Sequence, residues 1–513
     1  MTGNNETRAP AAARPPGPLP RAVTEAAVVF LVTLVFFRWT ILQWNGFLDF
    51  DGHYHHTIAR WMAARREFWL DIPWLPFTVL GERGPDQHWL WHLLLVPFAY
   101  FADADQGLIW AAACNGAATA AILAFVMRML GIPAAPVFAV LAITAAAVMP
   151  YRLMMLRAQN IAIIFMVLSV WAIARRRHGT LGLLAFLFMQ SYHGAIVLAP
   201  IALIGCVLGS VHERRLVLTP LIAVAAGLLL ALLVSPWYPG SFEYLFFHVL
   251  FKEGGTTSGA YLSSLVGSEW YPPGWRNVLL IAWPAHLTLA GALAALAWRM
   301  HGSKDVRPGP DTLLAVGVAA VSLLLYFGSF RFAEYYVPFA CLAAGLAARD
   351  AWTPVRRARL RAAVLGAWAL VAASVGLSSA IRVPVTPADY LAAIGTRLAG
   401  ISRPGEVVFN SGWPDFPALL WRADRLRYVN GLDGHYLAYR DPARFAVWIS
   451  LGAGMVEDPA YAIDAVFGAR FAVVSHRHRA LAGQLRASER AILLLESRDG
   501  WLFEIRPTGI TRQ

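Results

Sequence analysis

The chain has 513 residues, of which 58% are hydrophobic and 14% are charged, and its mean hydropathy is +0.52. This composition excludes an ordinary soluble protein and indicates a chain that spends most of its length in lipid. The net charge is +12, but much of it lies in short turns between apolar runs, where membrane topology accounts for it, so we predict no nucleic-acid partner. The three cysteines lie in predicted spans and indicate neither a disulfide framework nor redox chemistry.

Apolar runs long enough for the ~30 Å core of a bilayer follow one another along most of the chain. They lie at residues 22–44, 106–127, 132–149, 153–174, 194–210, 216–236, 277–298, 311–330, 334–348 and 361–381. A shorter run, 180–192, completes a hairpin with 194–210. We therefore predict a polytopic α-helical membrane protein of about eleven spans, with its membrane domain at 22–381. Residues 1–21, rich in Pro, Ala and Arg, are predicted to form a disordered cytoplasmic tail.

Arginine clusters set the predicted orientation, because cytoplasmic loops carry an excess of Lys and Arg. Arginines before residue 22 and at 175–177 and 214–215 mark cytoplasmic turns. The N-terminus is then inside, and we predict an integral plasma (inner) membrane protein with large outer segments at 45–105, 237–276 and 382–513. Residues 88–102 form a short run mixed with aromatic residues and histidine, which predicts an interfacial helix on the outer face and not a span.

From residue 382 onward the charged residues are evenly scattered, and no apolar run is long enough to cross a membrane. Short apolar strands alternate with helical stretches there. The predicted strands are Val407–Asn410, Leu426–Asn430, Phe471–Ser475, Ile492–Glu496 and Trp501–Ile505. This alternation predicts a C-terminal extracytoplasmic α/β domain. No Gly-x-Gly-x-x-Gly motif follows any of these strands, so nucleotide binding has no support.

A dense ionisable cluster lies in the first outer loop, at residues 47–62. Polar groups near lipid are costly unless they face water, a partner or a ligand, which predicts a functional site, although an outer loop is polar in any case. Asp49 and Asp51 lie two residues apart, so on an extended segment both carboxylates point the same way and suit a divalent cation. A helix with Asp51 as its N-cap would lie on the outer leaflet, with Arg60 toward phosphate headgroups. Its apolar stripe would comprise Tyr54, Ile58, Trp61 and Met62.

Three histidines follow in the same loop, namely His53, His55 and His56. Their spacing is not a zinc signature. The neighbouring ligands are hard oxygens, which suit Mg²⁺ or Mn²⁺ better, so we predict one of these ions as the cofactor. The histidines, together with Tyr54, are predicted to line a substrate cleft.

Further polar groups stand in other outer segments. Asp103 and Asp105 form a second acidic pair where the chain re-enters the membrane, and Ser268–Glu269 lies in the second large outer loop. Arg331 is at the outer end of a predicted span, where an arginine suits a phosphate group, although snorkelling to the interface also explains it. Each acid taken singly is equally explained as a loop or turn residue. The remaining predicted cleft residues are Glu334, Tyr335, Trp413 and Asp415.

Together these motifs resemble the GT-C glycosyltransferases and, within them, the catalytic subunit of oligosaccharyltransferases. Residues 51–54 (Asp-Gly-His-Tyr) resemble the family's first-loop motif, and Asp103 with Asp105 resembles its second acidic pair. Ser268–Glu269 resembles a later outer-loop motif, and residues 331–338 resemble an Arg-Phe-x-x-Tyr-x-x-Pro span end. Residues 412–416 (Gly-Trp-Pro-Asp-Phe) resemble the Trp-Trp-Asp-Tyr-Gly motif that opens the family's soluble domain, with proline at the second tryptophan.

The resemblance implies a polyprenyl phosphate or diphosphate that carries the sugar, and a metal ion held against the donor phosphate. The implied metal ligands are Asp51, Asp103, Asp105 and Glu269. The implied donor-phosphate ligands are Arg331 and Arg60, and the catalytic candidates are Asp51 and Asp49, either of which would act as general base toward the acceptor.

We therefore predict metal-assisted transfer of a sugar or oligosaccharide from the lipid-linked donor to a protein, glycan or lipid acceptor at the outer face of the membrane. One alternative is a metal-independent glycosyltransferase that uses a polyprenyl-monophosphate sugar, with a carboxylate base and a phosphate clamp. A second alternative is a transporter or flippase for lipid-linked substrates. It is disfavoured because the acids cluster outside the membrane and no internal repeat is evident.

Overall fold

The first helix begins earlier than the sequence predicts. A computed structural model describes residues 18–81, 84–248, 267–303, 305–351 and 358–507. Helix α1 (Pro18–Leu42) starts inside the predicted cytoplasmic tail, so residues 18–21 are helical and not disordered. The remainder of that tail, and residues 249–266 of the second large outer loop, lie outside the described residues.

Each predicted span contains a helix, but the helices differ in length. Up to residue 382 they are α1, α2 (Asp51–Arg65), α3 (Trp89–Leu95), α4 (Ala104–Met129), α5 (Ala135–Thr144), α6 (Met149–Met154), α7 (Gln159–Ala174), α8 (His178–Ser191), α9 (Leu198–Glu213), α10 (Thr219–Leu233), α11 (Gly240–Phe246), α12 (Gly274–Ile281), α13 (Trp283–Gly302), α14 (Pro310–Gly328), α15 (Ala333–Ala351) and α16 (Ala358–Arg382). The predicted interfacial segment is α3 followed by a 3₁₀ helix, Val96–Tyr100, and together they are too short for a ~30 Å core.

Five helices in the described part of the chain are long and apolar enough to cross a membrane, and the pair α12 and α13, bent by 72°, makes a sixth if it counts as one span. They support an integral membrane protein, but the predicted count of about eleven spans is not confirmed. Several predicted runs are divided. The run at 132–149 yields only α5, and Pro150 then stands in the first turn of α6, where proline starts a new helix and does not continue an old one.

Small residues bring the central helices of the membrane domain together. Helix α15 is buried along most of its length, and its Ala340, Ala343 and Ala344 are fully buried. Helix α4 contributes a similar row that includes Ala113 and Ala117. Small side chains let helix backbones approach closely. This packing holds the start of α15, which carries Glu334, against α6.

The C-terminal region folds around a mixed sheet, as the alternation of strands and helices predicts. Its strands are β3 (Val407–Asn410), β4 (Arg427–Tyr428), β5 (Phe471–Ser475), β6 (Ala491–Ser497) and β7 (Gly500–Ile505), in the spatial order β4-β3-β5-β7-β6. The helices there are α17 (Ala392–Ile401), α18 (Phe416–Arg422), α19 (His435–Arg440), α20 (Pro442–Gly452), α21 (Pro459–Phe467) and α22 (Arg479–Ala487). Strand β3 is parallel to β4 and β5, whereas β7 is antiparallel to β5 and β6. All five predicted strands are therefore present, although the predicted Leu426–Asn430 is a strand only at Arg427–Tyr428.

Helix α2 joins the two halves of the chain and does not lie on a lipid surface as predicted. Its Ile58 and Met62 are 1% and 3% exposed and pack in one core with Leu419 of α18. The indole nitrogen of Trp61 donates to the carboxylate of Asp424 at 2.8 Å. The apolar stripe is therefore covered by protein. The N-cap position is Phe50, not Asp51, which is the first residue of the helix.

A short antiparallel pairing adds a second tie between the halves. Strand β1 (Gly46–Phe47) precedes α2, and β2 (Thr386–Pro387) follows α16. A Cβ atom on Gly46 would overlap the carbonyl oxygen of Thr386, so this close backbone approach requires glycine. The pairing fixes the segment that carries Asp49 and Asp51.

Candidate active site

A cavity of about 760 Å³ lies where the loop between α1 and α4, the α6–α7 turn and the C-terminal domain meet. The loop contributes Asp49, Asp51 and His55, and the C-terminal domain contributes Trp413 and Asp415. The remaining charged side chains in its wall are Arg152, Arg157, Glu269, Arg331, Asp433, Arg477 and Asp499. The cavity therefore collects predicted site residues that are hundreds of positions apart in the sequence.

Arg157 is the centre of the charged wall. Its guanidinium contacts Asp49 at 2.5 Å, Asp51 at 3.0 Å and Glu269 at 2.9 Å. The backbone nitrogen of Asp51 also donates to the Asp49 carboxylate at 3.1 Å, which holds the two acids in register. An arginine presents its donors in a planar fork, so it can bind several carboxylates at once. Arg157 thus organises all three acids.

A second arginine supports Glu269 from behind. Arg152 is 7% exposed, and it donates to Glu269 at 2.5 Å and forms an ion pair with Glu334. Arg331 lies 3.6 Å from the other Glu269 oxygen. Glu334 therefore acts behind the cavity wall as the partner of Arg152, and does not line the cavity as predicted.

The pKa values of two acids diverge because their surroundings differ. Burial against the cavity walls raises the pKa of Asp51 to about 6, and neighbouring Asp49 and Glu269 add to the rise while Arg157 opposes it. Burial also disfavours the charged form of Glu269, but Arg152, Arg157 and Arg331 outweigh it and hold the pKa of Glu269 well below its ordinary value. Glu269 is a fixed anion, whereas Asp51 can accept and release a proton near neutral pH.

Arg331 stands between the cavity and an apolar groove. Its guanidinium lies 4.7 Å from the centre of the Trp270 ring and donates to the Tyr192 hydroxyl at 3.2 Å. The same arginine and Trp270 line a groove of about 230 Å³. The apolar or aromatic residues of that groove include Tyr192, Ile196, Val197, Pro200, Leu325, Phe332 and Tyr335. Tyr335 therefore lies in the groove and not in the main cavity.

The C-terminal domain presents a second titratable acid to the cavity. Burial raises the pKa of Asp415 to about 6, although a hydrogen bond from the Tyr390 hydroxyl at 2.8 Å opposes the rise. Trp413 and Pro414 line the cavity beside it. The motif predicted at 412–416 thus contributes Trp413, Pro414 and Asp415 to the cavity that the acids of the first loop also line.

The predicted histidines divide into two groups. His53 and His56 lie outside the cavity lining, and burial lowers the pKa of His53 to about 3 and that of His56 to about 4. Both are therefore neutral packing residues at neutral pH. His55 does line the cavity and lies close to His88 and His92, which the sequence analysis did not single out. Tyr54 lines the cavity as predicted.

Three further predicted site residues also lie outside the cavity. Asp103 is the N-cap of α4, where its carboxylate accepts from the backbone nitrogens of Asp105 and Gln106. Neither acid of this pair lines the cavity, because the pair starts a helix that leads away from it. Arg60 also lies elsewhere, with its guanidinium 5.4 Å from the centre of the Trp421 ring.

Sequence reasoning missed Arg152 and Arg157, although the sequence carried a signal for them. Both stand between the predicted spans 132–149 and 153–174, or at the start of the second, on the side assigned to the outer face. The positive-inside rule predicts few arginines there. Two arginines that break this rule at one outer turn mark a site that needs positive charge.

The residues predicted to hold Mg²⁺ or Mn²⁺ do not fit such an ion in this arrangement. The Arg157 guanidinium binds Asp49, Asp51 and Glu269 and takes the place that a cation would need. Asp103 and Asp105 are elsewhere. Among the described residues, the group with the geometry to hold a metal ion is His55, His88 and His92.

Comparison with known proteins identifies the fold. No protein-family model and no curated protein sequence matches the chain. Solved structures do match, among them the archaeal oligosaccharyltransferase AglB from Archaeoglobus fulgidus in complex with an inhibitory peptide and a dolichol-phosphate. The identity to AglB is 14%, the TM-score is 0.64, and the match covers 90% of this chain and 71% of that chain.

Two further structures match over most of this chain. One is ArnT from Cupriavidus metallidurans bound to undecaprenyl phosphate, with 15% identity, a TM-score of 0.55, and coverage of 94% of this chain and 97% of that chain. The other is the Archaeoglobus fulgidus oligosaccharyltransferase in complex with Zn and sulfate, with 14% identity, a TM-score of 0.58, and coverage of 88% and 68%. These proteins are GT-C glycosyltransferases, so the resemblance inferred from the motifs is confirmed for the fold.

Proposed function

We propose that this chain, which has the fold of the GT-C glycosyltransferases, transfers a sugar from a polyprenyl-phosphate-linked donor to an acceptor at the outer face of the membrane. One observation carries the proposal. A cavity with a titratable carboxylate and an arginine wall opens beside an apolar groove, and Arg331 borders both. A lipid-linked sugar phosphate needs this combination of an apolar channel, a cation and a polar chamber.

The donor would bind with its lipid in the apolar groove and its phosphate at Arg331. Arginine grips phosphate through paired hydrogen bonds, and Trp270 holds the Arg331 side chain in place from one face. AglB and ArnT were crystallised with dolichol-phosphate and undecaprenyl phosphate respectively, which supports the same class of donor here. The sugar would then project into the main cavity.

Asp51 is the proposed general base. It would take a proton from the acceptor nucleophile, which attacks the anomeric carbon while the bond from that carbon to the phosphate oxygen breaks. The pKa of about 6 for Asp51 keeps it mostly ionised at neutral pH yet basic enough to accept a proton. Arg331 would stabilise the charge that develops on the departing lipid phosphate.

The acceptor would enter from the C-terminal domain, between Trp413, Asp415 and Tyr390. These three residues line the same cavity as Asp51. We propose a protein, glycan or lipid acceptor. An acceptor peptide is bound by one related oligosaccharyltransferase, and the proline at position 414 separates this chain from the tryptophan-rich motif of that family.

We favour transfer without a divalent cation at the carboxylates. Arg157 already forms ion pairs with Asp49, Asp51 and Glu269, so a positive charge that belongs to the protein stands where the metal would bind. The metal-assisted version requires Arg157 to leave this position. The metal-independent glycosyltransferase that uses a polyprenyl-monophosphate sugar is thus the better fit to the cavity.

The test is transfer by the full chain in lipid nanodiscs, with polyprenyl-monophosphate and polyprenyl-diphosphate sugars as donors. Asp51→Asn keeps the shape and removes the base, and we expect a loss of about 10²-fold or more. Asp49→Asn should lose less, because Asp49 supports Arg157 and does not act as the base. Asp105→Asn is the matched control from the same outer loop. Wild-type rates for Asp51→Asn, or an equal loss for Asp105→Asn, would reject the site.

Chelation separates the two versions of the mechanism. Turnover of the wild-type protein should continue in excess EDTA if Arg157 replaces the cation. If turnover stops in EDTA and returns with Mg²⁺ or Mn²⁺, but not with Zn²⁺, the result would support the metal-assisted, oligosaccharyltransferase-like mechanism. It would reject the metal-independent one.

A further inference from the structure

Three buried histidines converge at the wall of the main cavity. His55 comes from α2, His92 from α3, and His88 is the residue before α3. One ring nitrogen of each lies within 4.8 Å of those of the other two. Their exposed fractions are 6%, 8% and 0% for His55, His88 and His92. The nitrogens of three imidazoles buried in this way need polar partners, since they are away from water.

One carboxylate orients two members of this group. The Nδ1 of His92 donates to the Asp86 carboxylate at 2.7 Å, since a carboxylate can only accept. The Nε2 of His92 therefore carries a lone pair, and it points at the Nδ1 of His55 at 2.8 Å. The other Asp86 oxygen accepts from the backbone nitrogen of His88 at 3.0 Å. A carboxylate behind a histidine is the usual second partner of a metal ligand.

His88 brings an unpartnered nitrogen to this group. Its Nδ1 is buried and has no hydrogen-bond partner within the described ranges of the chain. A buried imidazole nitrogen without a partner loses its hydrogen bonds to water and gains nothing in return. The ring is held in place by the stacked Tyr192, with 5.7 Å between ring centres.

We infer that His55, His88 and His92 bind a zinc ion whose remaining coordination position opens toward the cavity. Neutral imidazoles without carboxylate ligands suit Zn²⁺ and not Mg²⁺ or Mn²⁺. Ligand nitrogens about 2.0–2.1 Å from a tetrahedral zinc stand about 3.3 Å apart. The Nδ1 of His55 and the Nε2 of His92 would therefore separate by about 0.5 Å, and the proton on the Nδ1 of His55 would move to its Nε2 so that both facing nitrogens present lone pairs to the ion. His55 and His88 line the cavity, which gives the ion an entry path and leaves a position for water.

The proposed ion is separate from the carboxylates of the proposed function. It lies one helical turn of α2 beyond Asp51, because residues four apart share a helix face. Its ligands connect α2 with α3, so it would act as a cross-link in the first outer loop. A chain that binds no zinc would therefore not argue against the proposed sugar transfer. A chain that transfers no sugar would not argue against the zinc site.

The experiment measures zinc on the purified full chain, which carries a tag without histidine. After equilibration with micromolar free Zn²⁺ and gel filtration, we expect about one zinc per chain by mass spectrometry. Co²⁺ in its place should give the visible absorption bands of a tetrahedral site. His88→Gln and His92→Gln should each weaken zinc binding by at least tenfold, and Asp86→Asn by about ten- to a hundredfold.

His56→Gln is the matched control, because it lies on the same helix and its ring nitrogen contacts the carbonyl oxygen of Phe98. Gel-filtration profile and near-UV circular dichroism identify variants that do not fold. His193→Gln tests the adjacent pair, in which the Nε2 atoms of His193 and His248 are 2.7 Å apart. A wild-type chain without zinc, retention of zinc by folded His92→Gln, or a loss confined to His193→Gln would overturn the assignment.

Discussion

Removal of the Arg157 charge should move the acid limb of the pH–rate profile to higher pH. The Asp51 carboxylate has a pKa of about 6 in the presence of the Arg157 guanidinium, which lies 3.0 Å away and favours the ionised acid. At this distance two unit charges interact by about 1.4 kcal/mol even in a medium as polar as water. That energy corresponds to about one pKa unit. In the less polar cavity the effect is larger, so one unit is a lower bound.

The sign follows from the role of Asp51 as a base. Transfer requires the ionised form, so kcat/KM rises as pH passes upward through the pKa of Asp51. Arg157→Gln raises that pKa, and the midpoint of the rise should move from about 6 toward about 7 or above. Arg157→Lys keeps a single charge and should shift the midpoint less, because lysine lacks the planar fork that binds several carboxylates.

The assay is kcat/KM for sugar transfer between pH 5 and 9 in nanodiscs. Asp415→Asn serves as the control, because the pKa of Asp415 is also raised to about 6 and its removal should leave the midpoint in place. An unchanged midpoint in Arg157→Gln, or one at lower pH, would refute the assignment of Asp51 as the base. So would a midpoint that disappears in Asp415→Asn.

The remaining predictions concern topology, the support behind the cavity and the junction of the two halves. A topology reporter fused after Arg382 should be active only outside the cytoplasm, and cytoplasmic activity would overturn the assigned orientation. Glu334→Gln leaves the buried Arg152 short of one partner, so the free energy of unfolding in detergent should fall by about 3 kcal/mol; an unchanged melting temperature would show the pair to be dispensable. Trp61→Phe removes the hydrogen bond to Asp424, so the free energy of unfolding should fall by about 1 kcal/mol and proteolysis of the C-terminal domain should become faster. Equal cleavage rates for the variant and the wild type would show that this contact does not hold the C-terminal domain to α2.

The C-terminal domain was the most predictable part of the fold. Its strands are short apolar runs bounded by polar or turn residues. Such a run can be recognised from its own sequence, without knowledge of the strands that pair with it. Phe471–Ser475 is a strand over the predicted residues. The predicted Leu426–Asn430 is a strand only at Arg427–Tyr428, because β4 is an edge strand whose length depends on the part of β3 that it pairs with.

The candidate site was only partly predictable, because local patterns do not distinguish two uses of the same residue. Asp103 and Asp105 have the same spacing as Asp49 and Asp51, yet the first pair starts a helix and the second pair faces a cavity. Aspartate is a preferred N-cap residue, so an acid directly before a helix has a local structural use. The two pairs differ in their tertiary contacts, such as the ion pairs of Asp49 and Asp51 with Arg157. The local sequence around each pair does not reveal these contacts.

The histidines illustrate the same limit. His53, His55 and His56 lie within four positions of the sequence, but a helix separates the directions of successive side chains by about 100°. His55 lies close to His88 and His92, whereas His53 and His56 pack near Trp421 of the C-terminal domain. A ligand set gathered from α2 and α3 has no fixed spacing in the sequence, so the zinc signatures known from loops do not detect it.

The pairing of β1 with β2 sets the order in which the protein can become functional during its synthesis. Gly46 and Phe47 are made early, whereas their partners Pro387 and Thr386 leave the ribosome only after every helix of the membrane domain. Until then the loop that carries Asp49 and Asp51 has no strand to anchor it. A nascent chain can therefore insert its helices into the bilayer while the chamber is still open and inert. The loop that carries these acids can therefore reach its final arrangement only after the last helix of the membrane domain has been made.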